Sequence, residues 1–213
     1  MRPVAATPYP PAPWRIAGPA AIVPALVPLD AARAHLPAGV AAVPVAPGRT
    51  IGGLLLARYE GPSTLRYGEL LVLPALTRVA GSLGWWVSHA YVDSPASLAG
   101  GRRMWGVPKD LATFAWHPGG VSVTRDDGVP VLGAAWRAPA RTLPLPGLVV
   151  TNGTTGGADR RRFAGTGTLD LGPVRARVDI PGGSPLAGLP LAGRRVALAG
   201  RADLRLRAPR VLA

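Results

Sequence analysis

A chain of 213 residues in which 48% of side chains are hydrophobic can bury a sizeable core, so it is not a disordered sequence despite its 28 glycines and 25 prolines. With no cysteine and three histidines, it excludes disulfides, thiolate metal sites and cysteine nucleophiles, and leaves little material for zinc. The formal net charge of +13 comes from arginines that stand singly or in pairs, apart from "RRR" at 160–162. A solvated basic surface that attracts small anions fits this spread better than a nucleic-acid interface does.

The whole of 1–213 reads as a single domain, with residues 1–14 as an extended proline-rich arm. The N-terminal apolar stretch is cut by Pro19, Pro24 and Pro28, which argues against a signal peptide. "LLVLPAL" is too short to span a bilayer. A cytoplasmic protein with no membrane partner is the expectation.

Next in the chain, "LDAARAHLP" predicts a short helix with Asp30 as N-cap and Pro37 as terminator. "GGLLLARYE", "YGELLVLPAL" and "GWWVSHAYVD" are short apolar runs bounded by turn formers and predict strands. "SPASLAGGRRMW" predicts a brief helix capped by serine and weakened at Gly100–Gly101. "VSVTRDDGVPVLGAAWR" predicts a hairpin on its Asp-Gly turn. "TNGTTGGADRRR" reads as a long surface loop, and its glycines match no phosphate-binding spacing. "RFAGTGTLDLG", "PVRARVDIP" and "RRVALAGRADLRLRAP" alternate with period two, and "SPLAGLPLAG" has room for one more helical turn. The sum is a mostly β protein with two or three short helices and no repeated βα unit, closing as a barrel or a sandwich.

Four groups of residues could carry chemistry. Ser88, His89 and Asp93 invite a hydrolase triad, but neighbours on a strand point to opposite faces, so Ser88 should not meet His89. His89, Tyr91 and Asp93 would share a face that could line a pocket, or His89 is simply a satisfied, half-buried histidine. Glu60 is a second acid in this half of the chain, and Glu69 enters an apolar strand almost at once. That placement suits proton transfer, and pairing with Arg66 or another arginine is the structural alternative.

Lys109 is the only lysine in the chain. A nucleophilic amine must be neutral, desolvation favours that form, and Met104, Trp105, Val107 and Leu111 offer an apolar wall. Pro108 fixes one backbone dihedral just before it. A guanidinium could not replace it, because it stays charged and forms no Schiff base. The alternative is a chance surface lysine.

The residues Tyr67-Gly68-Glu69, Tyr91-Val92-Asp93, Gly101-Arg102, Trp105-Gly106, Pro108-Lys109 and Leu111 together resemble the acetoacetate decarboxylase family over roughly positions 29–116. The resemblance implies a cone-shaped, mostly antiparallel β-barrel, commonly oligomeric, with the lysine in its interior pocket. It also implies Lys109 as the Schiff-base lysine and Glu69 as an acid/base or orienting carboxylate, with no metal or organic cofactor. Arg66, Arg102 and Arg103 become candidates to hold a substrate carboxylate, with His89, Tyr91 and Trp105 as further substrate-binding residues. The expected partner is a small keto acid or related carbonyl compound, and the expected assembly a homo-oligomer.

Several positions depart from the family pattern. Asp110 stands where a second lysine is usual, on the opposite side of the strand from Lys109. Arg103 replaces an acid. A family arginine falls at or near Gly18, with Arg15 nearest, and a family glutamate falls on Leu54. Imine chemistry survives these changes. They favour aldolase, dehydratase or cyclase activity somewhat over decarboxylation, and a non-catalytic ligand-binding barrel is the third reading.

Overall fold

A computed structural model describes residues 7–154 and 160–212. The first six residues of the expected arm and positions 155–159 of the expected loop lie outside them.

The strands are β1 (Trp14–Pro28), β2 (Ala41–Ala42), β3 (Arg49–Tyr59), β4 (Tyr67–Leu73), β5 (Leu76–Val79), β6 (Ser82–Trp86) and β7 (His89–Val92). After two helical segments come β8 (Lys109–His117), β9 (Gly120–Arg125), β10 (Pro130–Trp136), β11 (Leu143–Thr154), β12 (Arg160–Asp179), β13 (Gly193–Leu206) and β14 (Arg210–Leu212). Hydrogen-bonded neighbours run β10–β9–β8–β7–β4–β3–β1–β13–β12, and β12 pairs back onto β10, which closes a ring of nine strands. β11, β6, β5 and β2 branch from β12, and β14 pairs with its first residues, Arg160–Arg162. All pairings are antiparallel except β7–β8 and β6–β11. This is the mostly β, barrel-like architecture expected from the sequence.

Alternation along the ring strands divides their side chains between two faces. On one face Val23, Leu54, Leu70, Tyr91, Val121, Val131, Val174 and Ala197 form a continuous buried cluster, to which Leu186 and Leu189 contribute from a loop. On the other face Ile16, Ala57, Tyr59, Tyr67, Val92 and Leu204 make a second cluster, adjoining a third around Trp14, Trp105 and Phe163. Most ring strands are therefore apolar on both sides, and "GGLLLARYE" reads as a continuous hydrophobic run for that reason.

The 15-residue β1 did not stand out in the sequence, because Pro19, Pro24 and Pro28 interrupt it. It pairs with β13 only over Trp14–Ile22 and with β3 only over Ala20–Pro28. Each proline therefore lies where β1 has a neighbour on one side only, and the missing N–H breaks no ladder. Pro144 and Pro146 in β11 follow the same rule, since only β12 pairs with that part of the strand.

Three local expectations need correction. The first helix, α1 (Leu29–Arg33), starts directly from the end of β1 with Pro28 at its N-cap position. Asp30 lies within the first turn, where its carboxylate accepts from the Ala31 N–H at 2.8 Å. "TNGTTGGADRRR" is a loop only in part, because Thr151–Thr154 and Arg160–Arg162 pair as strand ends of β11 and β12. "SPLAGLPLAG" forms successive turns without a helix.

Candidate active site

The site is built where the chain crosses from β7 to the parallel strand β8, a connection that needs a crossover rather than a tight turn. The second helix, α2 (Pro95–Gly100), starts at Ser94, whose side chain accepts from the Ser97 N–H at 3.2 Å, with Pro95 in the first turn. It runs on into a single π-helical turn, Gly101–Trp105, which ends on Gly106 at φ +69°. The chain then enters β8 at its first residue, Lys109, opposite Ala90 of β7.

That register turns Lys109 to the face carrying the second and third clusters. Its neighbour Glu69 arrives from β4, paired with Ala57 of β3, on the same face. Lys109 Nζ lies 2.6 Å from Glu69 Oε1 and 2.9 Å from Ser97 Oγ, and sits 5.0 Å from the centre of the Tyr67 ring. The three N–H directions of an ammonium group thus meet a carboxylate, a hydroxyl and an aromatic face. Tyr59 donates to Glu69 Oε2 at 2.9 Å, so both carboxylate oxygens are engaged. Lys109 is 4% exposed and Glu69 5%. A pair this deeply desolvated is a weak device for stability, because the lost hydration offsets much of the attraction.

Burial, with the nearby Glu69 carboxylate, pushes the phenols of both Tyr59 and Tyr67 well above the usual tyrosine range. Both hydroxyls stay protonated across the physiological range and can act as donors.

The pair opens on a cavity of about 60 Å³ walled by Trp14, Ile16, Leu55, Leu71, Trp105, Val107, Thr151, Phe163, Leu204 and Leu206, together with Tyr59 and Tyr67. Trp105 meets Trp14 and Phe163 edge to face, at 5.6 and 5.4 Å between centroids. The Trp14 indole is tied to the arm through a 2.9 Å hydrogen bond to the Pro10 carbonyl. The Trp105 Nε1–H is buried without an acceptor among the described residues.

Of the residues singled out in the sequence, Lys109, Glu69 and Trp105 come together here, with Tyr67 and Val107. The others lie elsewhere, for identifiable reasons. Tyr91 and His89 alternate with Ala90 on β7 and so project to the opposite face, Tyr91 into the ring-filling cluster. Arg66 is exposed, just before β4 begins. Arg102 is exposed as well, its Nε donating to the Lys109 carbonyl at 2.6 Å and its Nη2 pairing with Asp110 at 2.6 Å. It braces the backbone of Lys109 from outside and does not line the cavity. Arg15 pairs with Asp203 on the surface, and Leu54 belongs to the ring-filling cluster while its neighbour Leu55 faces the cavity.

Ser88 does reach His89, with Oγ 2.9 Å from Nδ1, because Ser88 lies in a bend before β7 where strand alternation does not hold. No triad results, since Asp93 instead accepts from the Gly68 N–H at 2.8 Å.

Sequence reasoning missed Ser97, Tyr59, Phe163 and Thr151. Tyr59 had a usable signal: a β3–β4 hairpin placing it opposite Tyr67 also sets it beside Glu69. Ser97 and Phe163 reach the site through tertiary packing and left no local trace.

Gly101 is where the crossover comes closest to the lysine. Its helical backbone, φ −57°, would accept alanine, but an added Cβ would lie 2.3 Å from Lys109 Cδ and 2.7 Å from Cε. The lysine stem would have to move. Gly101→Ala should therefore lower turnover by at least about tenfold while costing only about 1–3 kcal/mol of stability. Steady-state rates beside urea unfolding would check this, and unchanged turnover would contradict it.

His35 and His89 meet edge to face at 5.6 Å between centroids. Burial lowers both imidazoles below the usual histidine range, and His35 lowers His89 further, partly offset by Asp110. The unfolded chain then takes up protons first as pH falls through about 6.5, so stability rises with pH across the window just below that value. The melting temperature should fall between about pH 7 and 5 and fall less steeply in His89→Gln. Parallel curves for the two proteins would contradict it.

The model of the family described as acetoacetate decarboxylase matches residues 2–146. The enduracididine biosynthesis enzyme MppR, in its complex with pyruvate, superposes over 98% of this chain and 93% of its own, with TM-score 0.72 and 18% identity. Acetoacetate decarboxylase from Legionella pneumophila subsp. pneumophila str. Philadelphia 1 superposes over 100% of this chain and 93% of its own, with TM-score 0.68 and 18% identity. Protein NEOXANTHIN-DEFICIENT 1 from Oryza sativa subsp. japonica is 32% identical over 103 residues, 48% of this chain but 34% of the relative, so the match spans about a third of that protein's length. The two structures share the fold, and the family match takes in both Glu69 and Lys109: the chain belongs to the acetoacetate decarboxylase family.

Proposed function

We propose that this protein is a lysine-dependent lyase that forms a Schiff base between Lys109 and a carbonyl substrate, a keto acid or related compound, without a metal or organic cofactor. The observation that carries the reading is the 2.6 Å contact between Lys109 Nζ and Glu69 Oε1 beside a mostly apolar cavity. Transfer of a proton from Nζ to Glu69 leaves a neutral amine, the form that attacks a carbonyl carbon. Attack moves the carbonyl π electrons onto oxygen. Glu69 returns its proton to that oxygen, then takes a second proton from the attached nitrogen and passes it to the new hydroxyl. Water leaves as the freed nitrogen lone pair forms the C=N bond. The resulting protonated imine is an electron sink beside a carboxylate that has again become a base.

Two outcomes share this intermediate. A β-keto acid loses carbon dioxide and leaves its bonding pair in the enamine. A carbonyl compound with an α-hydrogen loses that proton to Glu69 and reaches an equivalent enamine, which can attack a second carbonyl or expel a β-substituent. The second outcome, aldolase-, dehydratase- or cyclase-like, gains support from MppR, whose structure has been determined with the condensation product of pyruvate and imidazole 4-carboxaldehyde. The fit of this site to a small carbonyl compound is supported in the same way by MppR's complex with pyruvate.

Hydrolysis of an imine replaces the carbonyl oxygen with one from water. In ¹⁸O-labelled water the protein should speed ¹⁸O entry into a carbonyl substrate over buffer alone, read by mass spectrometry. Release of carbon dioxide in the same reaction identifies decarboxylation. A panel of carbonyl compounds in which none exchanges faster than in buffer would remove the reading.

A further inference from the structure

The make-up of the cavity wall narrows the substrate class, an inference that rests on the Schiff-base reading. Among the described residues, Lys109 is the only cationic side chain on that wall, and Glu69 the only anionic one. Everything else facing the space is aliphatic, aromatic or hydroxyl-bearing. None of the arginines near the motif in sequence or space lines the cavity. Arg102 holds Asp110 and the Lys109 carbonyl, while Arg161 donates to the carbonyls of Arg103 and Met104 at 2.7 Å each. Arg66 is exposed, and Arg15 is held by Asp203.

The charge count then discriminates between ligands. A neutral carbonyl compound converts the ammonium–carboxylate pair into a protonated imine facing the same carboxylate, and the chamber stays balanced. A keto acid adds a second carboxylate and leaves one negative charge in excess, with no guanidinium among the described residues of the wall to receive it. An unpaired carboxylate in an apolar enclosure is strongly disfavoured. It would also compete with Glu69 for the single cation and drive one of the two acids to take up a proton. Trp105, on the wall, instead carries a neutral donor, a buried Nε1–H without an acceptor among the described residues. Such a donor suits an uncharged oxygen at low desolvation cost better than it suits a carboxylate.

We infer that the site takes an uncharged carbonyl compound with apolar substituents, an aldehyde or ketone rather than a free keto acid. The productive enamine step on such a substrate is loss of an α-proton to Glu69, with the C–H bonding pair moving into the C=C bond as the C=N π pair returns to nitrogen. No carbon dioxide is released.

The test pairs neutral and anionic probes of similar size: butanone against pyruvate, and 2-hexanone against 5-oxohexanoate, in which a carboxylate replaces the terminal methyl. Each is titrated against the whole protein with cyanoborohydride, and peptide mass mapping reports the concentration giving half-maximal labelling of Lys109. The neutral member of each pair should label at a concentration at least about tenfold lower, equivalent to about 1.4 kcal/mol. In deuterated water the protein should also exchange the α-hydrogens of 2-hexanone faster than buffer does. Equal or tighter labelling by the keto acids overturns the substrate class and leaves the Schiff-base reading standing. Absence of an adduct from all four probes overturns both.

Discussion

Lys109→Arg should abolish the chemistry while keeping the charge. Turnover is expected to fall by at least about 10³-fold, on the scale of removing a covalent nucleophile, and cyanoborohydride should yield no adduct at position 109 with any carbonyl probe. The guanidinium still faces Glu69, so the ion pair can be replaced in kind and loss of charge cannot explain the effect. Because Gly101 packs against the lysine stem, the bulkier side chain is accompanied by Lys109→Met as a control of similar length. Both variants should lose imine formation, and circular dichroism with urea titration would verify that they remain folded. A barrel that only binds a ligand behaves differently: Lys109→Arg would keep ligand affinity and show no chemical phenotype.

Glu69→Gln should have the next largest effect. The amide cannot accept the Nζ proton, cannot return it to the departing oxygen and cannot take an α-proton. A loss of about 10² to 10⁴ in kcat is the scale for removing a general acid–base. It also leaves a buried amine without its carboxylate. Removing one partner of such a pair costs about 3–5 kcal/mol when the remaining charge persists, and less if the amine sheds its proton. The two consequences separate experimentally, since the rate loss persists at temperatures where the variant is fully folded. Wild-type turnover by folded Glu69→Gln would take the proton-transfer role away from Glu69.

Much of this site could be read from the sequence, and for different reasons in different places. Lys109 was conspicuous because a chain that otherwise uses arginine throughout keeps one lysine, after a proline and among apolar residues. Glu69 was conspicuous because its strand enters the core immediately. Trp105 came with the same motif. What stayed hidden depends on strand register and on which face a residue takes. Tyr91 and His89 sit next to Ala90, which faces Lys109, and a shift of one residue moves a side chain from the cavity to the ring-filling core. Arg66 and Arg102 are close to the motif in sequence, yet their side chains are exposed.

The barrel as a class was legible from short alternating strands, but β1 was not, because proline usually marks the end of a strand. Its three prolines are compatible with a 15-residue strand only because β13 and β3 cover different halves of it, a fact of tertiary pairing. Ser88 and His89 show the reverse case: alternation holds inside strands, and Ser88 lies in the bend just before β7. The arginine surface was read correctly in outline: Arg175 and Arg177 alternate with Val174, Ala176 and Val178 on β12 and point to solvent.

The central claim is that Lys109 forms an imine with a carbonyl substrate, and the composition of the chain makes it unusually direct to test. With one lysine in 213 residues, the N-terminal amine is the only other amine that can compete for a carbonyl compound. Protein incubated with 2-hexanone and cyanoborohydride, then digested and mapped by mass spectrometry, should carry the added mass on the peptide containing Lys109, and Lys109→Arg should carry none there. Label confined to the N-terminus, or equal labelling of native and urea-unfolded protein, would contradict the account.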